Sequence, residues 1–144
     1  MRHSKKIRLS LCLALLVVAA ACNRNAANPP AGTAGVRVTD VTVGRAIGGD
    51  KAITDRTDTF KPNDTIYVSV ATDGAAPSAT LRAKWSFEDG QLVNESTRTI
   101  VPVNKERTEF HIAKPDGWPA GKYKLEVFLN DQSAETKSFD VRGS

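Results

Sequence analysis

The sequence predicts an all-β domain, an antiparallel β-sandwich of about seven strands over residues 36–142. Three observations predict it. Helical periodicity is almost absent, apolar and polar residues alternate in short runs, and Gly, Pro, Asn and Asp separate those runs. The stretch is also close to the roughly 100 residues of a two-sheet sandwich, so one domain is expected.

The first run, Val36 to Val43, changes phase at Thr39-Asp40, as a β-bulge would. Thr65 to Val70 then directs Ile66, Val68 and Val70 inward. The clearest run is Leu81 to Glu88, which places Leu81, Ala83, Trp85 and Phe87 on one face and Arg82, Lys84, Ser86 and Glu88 on the other. Asp89-Gly90 supplies the positive-φ chemistry of a tight hairpin, returning the chain through Leu92 and Val93 toward Ile100 and Val101. Phe110 and Ile112 make a short strand, and Tyr123 to Leu129 alternates again. Asn130-Asp131 turns the chain into a last strand carrying Phe139 and Val141.

On these residues a likeness can be named. The stretch PDGWPAGKYKLEV, residues 115–127, resembles the entry into strand F of immunoglobulin-like and fibronectin-like domains. There a Gly-x-Tyr pattern opens the strand, and the tyrosine hydroxyl ties back to upstream backbone. The resemblance implies that Tyr123 is such a corner, that Leu125 stands where antibody domains place a cysteine, and that Trp85 is the buried core tryptophan. The disulfide of antibody domains is missing.

Ahead of the domain, residues 1–21 read as a secretory signal: a basic start MRHSKKIR, an apolar stretch from Leu9 to Val18, and three alanines. About ten apolar residues cover roughly 15 Å as helix, half of a bilayer core, so this is no span. The leader takes Arg2, Lys5, Lys6 and Arg8 from the 20 basic residues and none of the 16 acidic ones, leaving 16 of each. The formal charge of +4 therefore belongs to the leader, and the electrostatic argument for nucleic acid goes with it.

Of the two cysteines, Cys12 leaves with the leader and Cys22 has no partner for a disulfide. Ala19-Ala20-Ala21-Cys22 after an apolar run resembles the lipobox of bacterial lipoproteins. The resemblance implies cleavage after Ala21 and acyl chains on Cys22, hence attachment to a membrane. Because Asn23 rather than aspartate follows, it implies the outer membrane, facing the periplasm. Ala19-x-Ala21 also fits an ordinary signal-peptidase site that would release a soluble protein with a free thiol. Residues 22–35 hold no large apolar side chain and read as a flexible linker.

Chemistry is sparse. The nucleophile, metalloprotease, phosphate-loop and dinucleotide motifs H-E-x-x-H, C-x-x-C, G-x-S-x-G, G-x-x-x-x-G-K-[ST] and G-x-G-x-x-G do not occur. After export His111 is the sole imidazole, on the polar face of a short strand. Asp50, Asp55, Asp58 and Asp64 invite a calcium reading, yet Lys51, Arg56 and Lys61 lie among them, and a mixed-charge loop is the expectation. No catalytic residue, metal or cofactor is expected. Trp118, in a loop, is the candidate ligand contact, since sugar-binding modules present such aromatics; packing over the end of the sandwich is the reading favoured. The functional expectation is a non-catalytic, membrane-anchored module that binds an envelope protein partner, with a small-ligand or carbohydrate-binding module around Trp118 as the alternative.

Overall fold

The computed structural model describes residues 35–143. Nine strands form two sheets: β1 (Val36–Ile47), β2 (Ile53–Arg56), β3 (Thr59–Phe60), β4 (Ile66–Gly74), β5 (Ala79–Phe87), β6 (Gln91–Ile100), β7 (Glu106–Ile112), β8 (Gly121–Leu129) and β9 (Gln132–Val141). No helix occurs among the described residues. The first sheet has the order β2-β1-β4-β7 and the second β3-β9-β8-β5-β6. Every pairing is antiparallel except the short β3, which runs parallel to β9. The domain is an immunoglobulin-like sandwich.

Alternation builds the core. Ile66, Val68 and Val70 of β4 are fully buried, as are Leu81, Ala83 and Trp85 of β5 and Leu125 and Val127 of β8. Their inward faces meet across the gap between the sheets, where Trp85 sets its ring edge-on to Phe110 of β7 at 6.4 Å. Trp85 and Leu125 are direct cross-strand partners, so the pair named by the likeness to immunoglobulin domains shares the centre of the core. Burying each such side chain stabilises by about 1.5–3 kcal/mol. The Trp85 indole N–H and the Thr72 hydroxyl are buried there without a hydrogen-bond partner.

Local irregularities account for the departures from strict alternation. The expected phase shift in β1 is a bulge between Val38 and Asp40. A second bulge makes Val93 the extra residue on β6, opposite Trp85 and Ser86; β5 itself stays in register with β8, and Ser86, which strict period two places in solvent, is buried on the outward face. The β5–β6 turn spans Glu88 to Gly90, with positive φ at Glu88 and Gly90 rather than at Asp89. Asn130 and Asp131 both take positive φ, as a two-residue hairpin loop of type I′ requires. The expectation of about seven strands is two short: β2 and β3, four and two residues long, lie in the stretch read as a mixed-charge loop.

The sandwich has two distinct ends. At one, β1 starts, β4 and β8 finish, and Gly35 accepts a hydrogen bond from Ala75 N at 3.1 Å. A Cβ on Gly74 would lie 1.6 Å from the Gly35 carbonyl oxygen, so only glycine admits the entering chain this close. We call this the entry end. At the other, the corner end, β5 finishes, β8 starts and β9 finishes.

Candidate functional site

The corner end is closed by an aromatic cluster. Tyr123 opens β8 and donates its hydroxyl to the Pro119 carbonyl at 2.8 Å, the local tie of a tyrosine corner. Its ring stacks on Phe139 at 5.3 Å, and Phe60 meets Phe139 edge-on at 5.4 Å. Burial, and after it the negative charge of Glu88, pushes the Tyr123 phenol above its ordinary pKa.

Trp118 belongs to this cluster. Its side chain is 6% exposed, lies edge-on to Tyr123 at 6.3 Å, and donates Nε1–H to the Asp64 carbonyl at 3.0 Å. The Trp118 backbone N–H also bonds Pro62 O at 2.7 Å, stapling two loops together. Of its two readings, Trp118 fits packing over the end of the sandwich: both its polar atom and its ring are engaged internally, so it presents no open face to a ligand.

The carboxylates of the β1–β4 region are turn and pairing groups. Asp50 accepts from Ala52 N, Asp64 accepts from Lys61 N, and Asp58 accepts from the Thr59 hydroxyl. Asp55 pairs with Arg45 at 3.0 Å, and that hydrogen bond, followed by the charge itself, pushes the Arg45 guanidinium pKa up. Among the described residues no three His, Cys, Asp or Glu side chains gather closely enough to hold a metal ion. His111 lies on the outer face of β7, 3.1 Å from Glu109, with its ring 5.6 Å from that of Tyr67. A recess of about 680 Å³ at the corner end is lined by Glu88, Asp89, Lys122, Asp140 and Arg142. It mixes both signs of charge and holds no nucleophile beside a base.

The outward row expected on β5 is partly covered. Arg82 lies 4.0 Å above the Phe128 ring and pairs with Glu95 and Asp131, at 3.2 and 3.5 Å. Such partly exposed pairs contribute at most about 1 kcal/mol.

The sheet edges differ more than the faces. β2 and β3 are short edges, and the β7 edge is met by Arg98 of β6, whose Nε donates to the Glu109 carbonyl at 3.0 Å. Among the described residues β6 is a long open edge: ten residues, paired on one side by β5, with Glu95 and Arg98 its only charges; β9 is also open on its outer side before Asp140, because β3 reaches only Asp140 and Val141. Three inward positions of β6, Asn94, Ser96 and Arg98, are polar, which is how natural sandwiches blunt an edge, while Val93 and Ile100 pack against the core. Sequence reasoning identified the return path of this strand but not its edge position, because strand order leaves no local signal.

Ala21 and Cys22, with most of the linker, lie outside the described residues. No helix among the described residues is long and apolar enough to cross a membrane.

No protein-family model matches the chain, and no curated protein matches it. Among solved structures, an immunoglobulin-like protein from Pseudomonas aeruginosa is similar at 18% identity, over 74% of this chain and 96% of that one, with a TM-score of 0.48. A CARDB domain from Pyrococcus furiosus, solved with two metal ions, is similar at 18% identity over 73% and 88% of the respective chains, TM-score 0.42. An alkylpurine DNA glycosylase from Pseudomonas fluorescens, bound to DNA, is similar at 14% identity over 74% of this chain but only 30% of that one, TM-score 0.48. Likenesses this distant say nothing of this chain's chemistry; the sheets described above carry its fold.

Proposed function

We propose that the chain is an envelope lipoprotein, cut after Ala21 and held by acyl chains on Cys22, whose sandwich serves without catalysis as a docking module for another envelope protein. Asn23 favours the outer membrane, with the domain facing the periplasm. Two or more acyl chains at about 0.8 kcal/mol per buried methylene make a durable anchor. The observation that supports docking is the open edge of β6, ten residues long and paired only by β5 among the described residues. A partner strand added there gains main-chain hydrogen bonds without disturbing the core.

Two measurements test the two halves separately. The intact mass of the processed N-terminus should show diacylglyceryl and acyl chains on Cys22; an unmodified thiol would reject the anchor. A photo-crosslinker at Thr97, exposed on β6, should give one discrete protein adduct in intact envelopes, whereas the same group at Lys137 on β9 should not. Equal labelling from both sites would reject the edge as the docking surface.

A further inference from the structure

Among the described residues three large apolar side chains stand in solvent: Leu92 at 56% exposed, Val101 at 63% and Val103 at 66%. Leu92 is at the corner end. Val101 and Val103 are neighbours in the β6–β7 connection, at the entry end. The backbone fixes them beside the point where the chain arrives from residue 34. Gly35 O accepts from Ala75 N, Ala75 bridges Val103, and Ala76 N donates to Pro102 O at 3.2 Å. Pro102 is fully buried, which pins the segment while its two neighbours project outward.

The surroundings argue against a charged partner. The adjoining recess of about 470 Å³ is lined by Arg37, Lys105 and Arg107 but equally by Asp40, Asp73 and Glu106, and Arg37 is already paired with Asp73. The linker argues for a specific apolar one. Residues 22–34 number thirteen and span at most roughly 45 Å however they are arranged, so an anchor at Cys22 keeps the entry end near the bilayer. Two valines alone bind lipid weakly, but tethering gives an effective concentration on the order of millimolar, where a weak contact is populated.

We propose that Val101 and Val103, on either side of buried Pro102, rest on the lipid interface, so that the domain stands on the membrane by its entry end, with the corner end and the Gln91 end of β6 pointing outward. This rests on the lipidated Cys22 of the preceding reading. The test supplies the anchor chemically: the mature chain, from Cys22 on, is coupled through that thiol to maleimide lipid in phosphatidylethanolamine–phosphatidylglycerol vesicles containing lipids brominated high on their acyl chains. Failure of acylation in cells therefore shows in the N-terminal mass and leaves this result untouched. Val103→Trp should lose a clear share of its added emission to bromine quenching, because its indole would lie at the headgroup–acyl boundary. Gln91→Trp, exposed at the corner end, should lose none. Absence of quenching in Val103→Trp, or equal quenching in both variants, overturns the proposal.

Discussion

The paired centre of the second sheet and its free margin obey different rules. In β5 and β8 every inward position from Leu81 to Trp85 and from Tyr123 to Leu129 is buried and apolar, and each strand is hydrogen-bonded on both sides. In β6, one strand away, three inward positions are the polar Asn94, Ser96 and Arg98, only Val93 and Ile100 pack against the core, and one side is unpaired among the described residues. The centre is selected for packing, so its chemistry is used up; the margin contributes little to stability and is therefore open to recognition.

Substitutions should separate the two regions by size of effect. Trp85→Ala removes the largest fully buried side chain and should cost about 3–5 kcal/mol in urea unfolding. Tyr123→Phe loses the bond to Pro119 and should cost about 1 kcal/mol at neutral pH. That variant also carries a pH signature. The folded Tyr123 pKa is raised, so its contribution is full below the unfolded value of about 10 and is lost as pH rises through the folded one. The parent should lose stability above about pH 10 more steeply than Tyr123→Phe, and parallel curves would mean that the phenol ionises freely.

At the margin the numbers shrink. Arg98→Ala frees the Glu109 carbonyl and should cost only about 0.5 kcal/mol, because the guanidinium is exposed, while raising concentration-dependent association seen by light scattering. Thr99→Lys should change stability by less than about 0.5 kcal/mol yet abolish the crosslink from Thr97. A large loss of stability in Thr99→Lys would erase the distinction between centre and margin.

What was legible follows the same division. The alternation of Ile66 to Val70, Leu81 to Trp85 and Tyr123 to Leu129, the Thr39-Asp40 bulge and the Asn130-Asp131 turn were readable, because burial on one face imposes period two and positive φ imposes turn residues. β2 and β3 were not readable: at four and two residues they are too short for a period, and their Thr, Asp and Arg match loop composition. Ser86 was misplaced because period two fixes which face a side chain takes, not what covers that face. The edge position of β6 was hidden, since whether a strand lies inside a sheet or at its edge is decided by residues far away in sequence. The Val101-Pro102-Val103 connection carried a readable signal, two valines around a proline, but its place at the entry end came only with the fold.

The glycine contact at the entry end has a mechanical consequence. Gly35 and Gly74 bring the arriving chain into register with β1, which pairs antiparallel with β4 from Val36 to Gly44. A pull entering at residue 35 along the strand axis strains those rungs together, in shear, instead of peeling them one at a time. A pull on the chain at residue 35 would thus load the β1–β4 ladder as a whole.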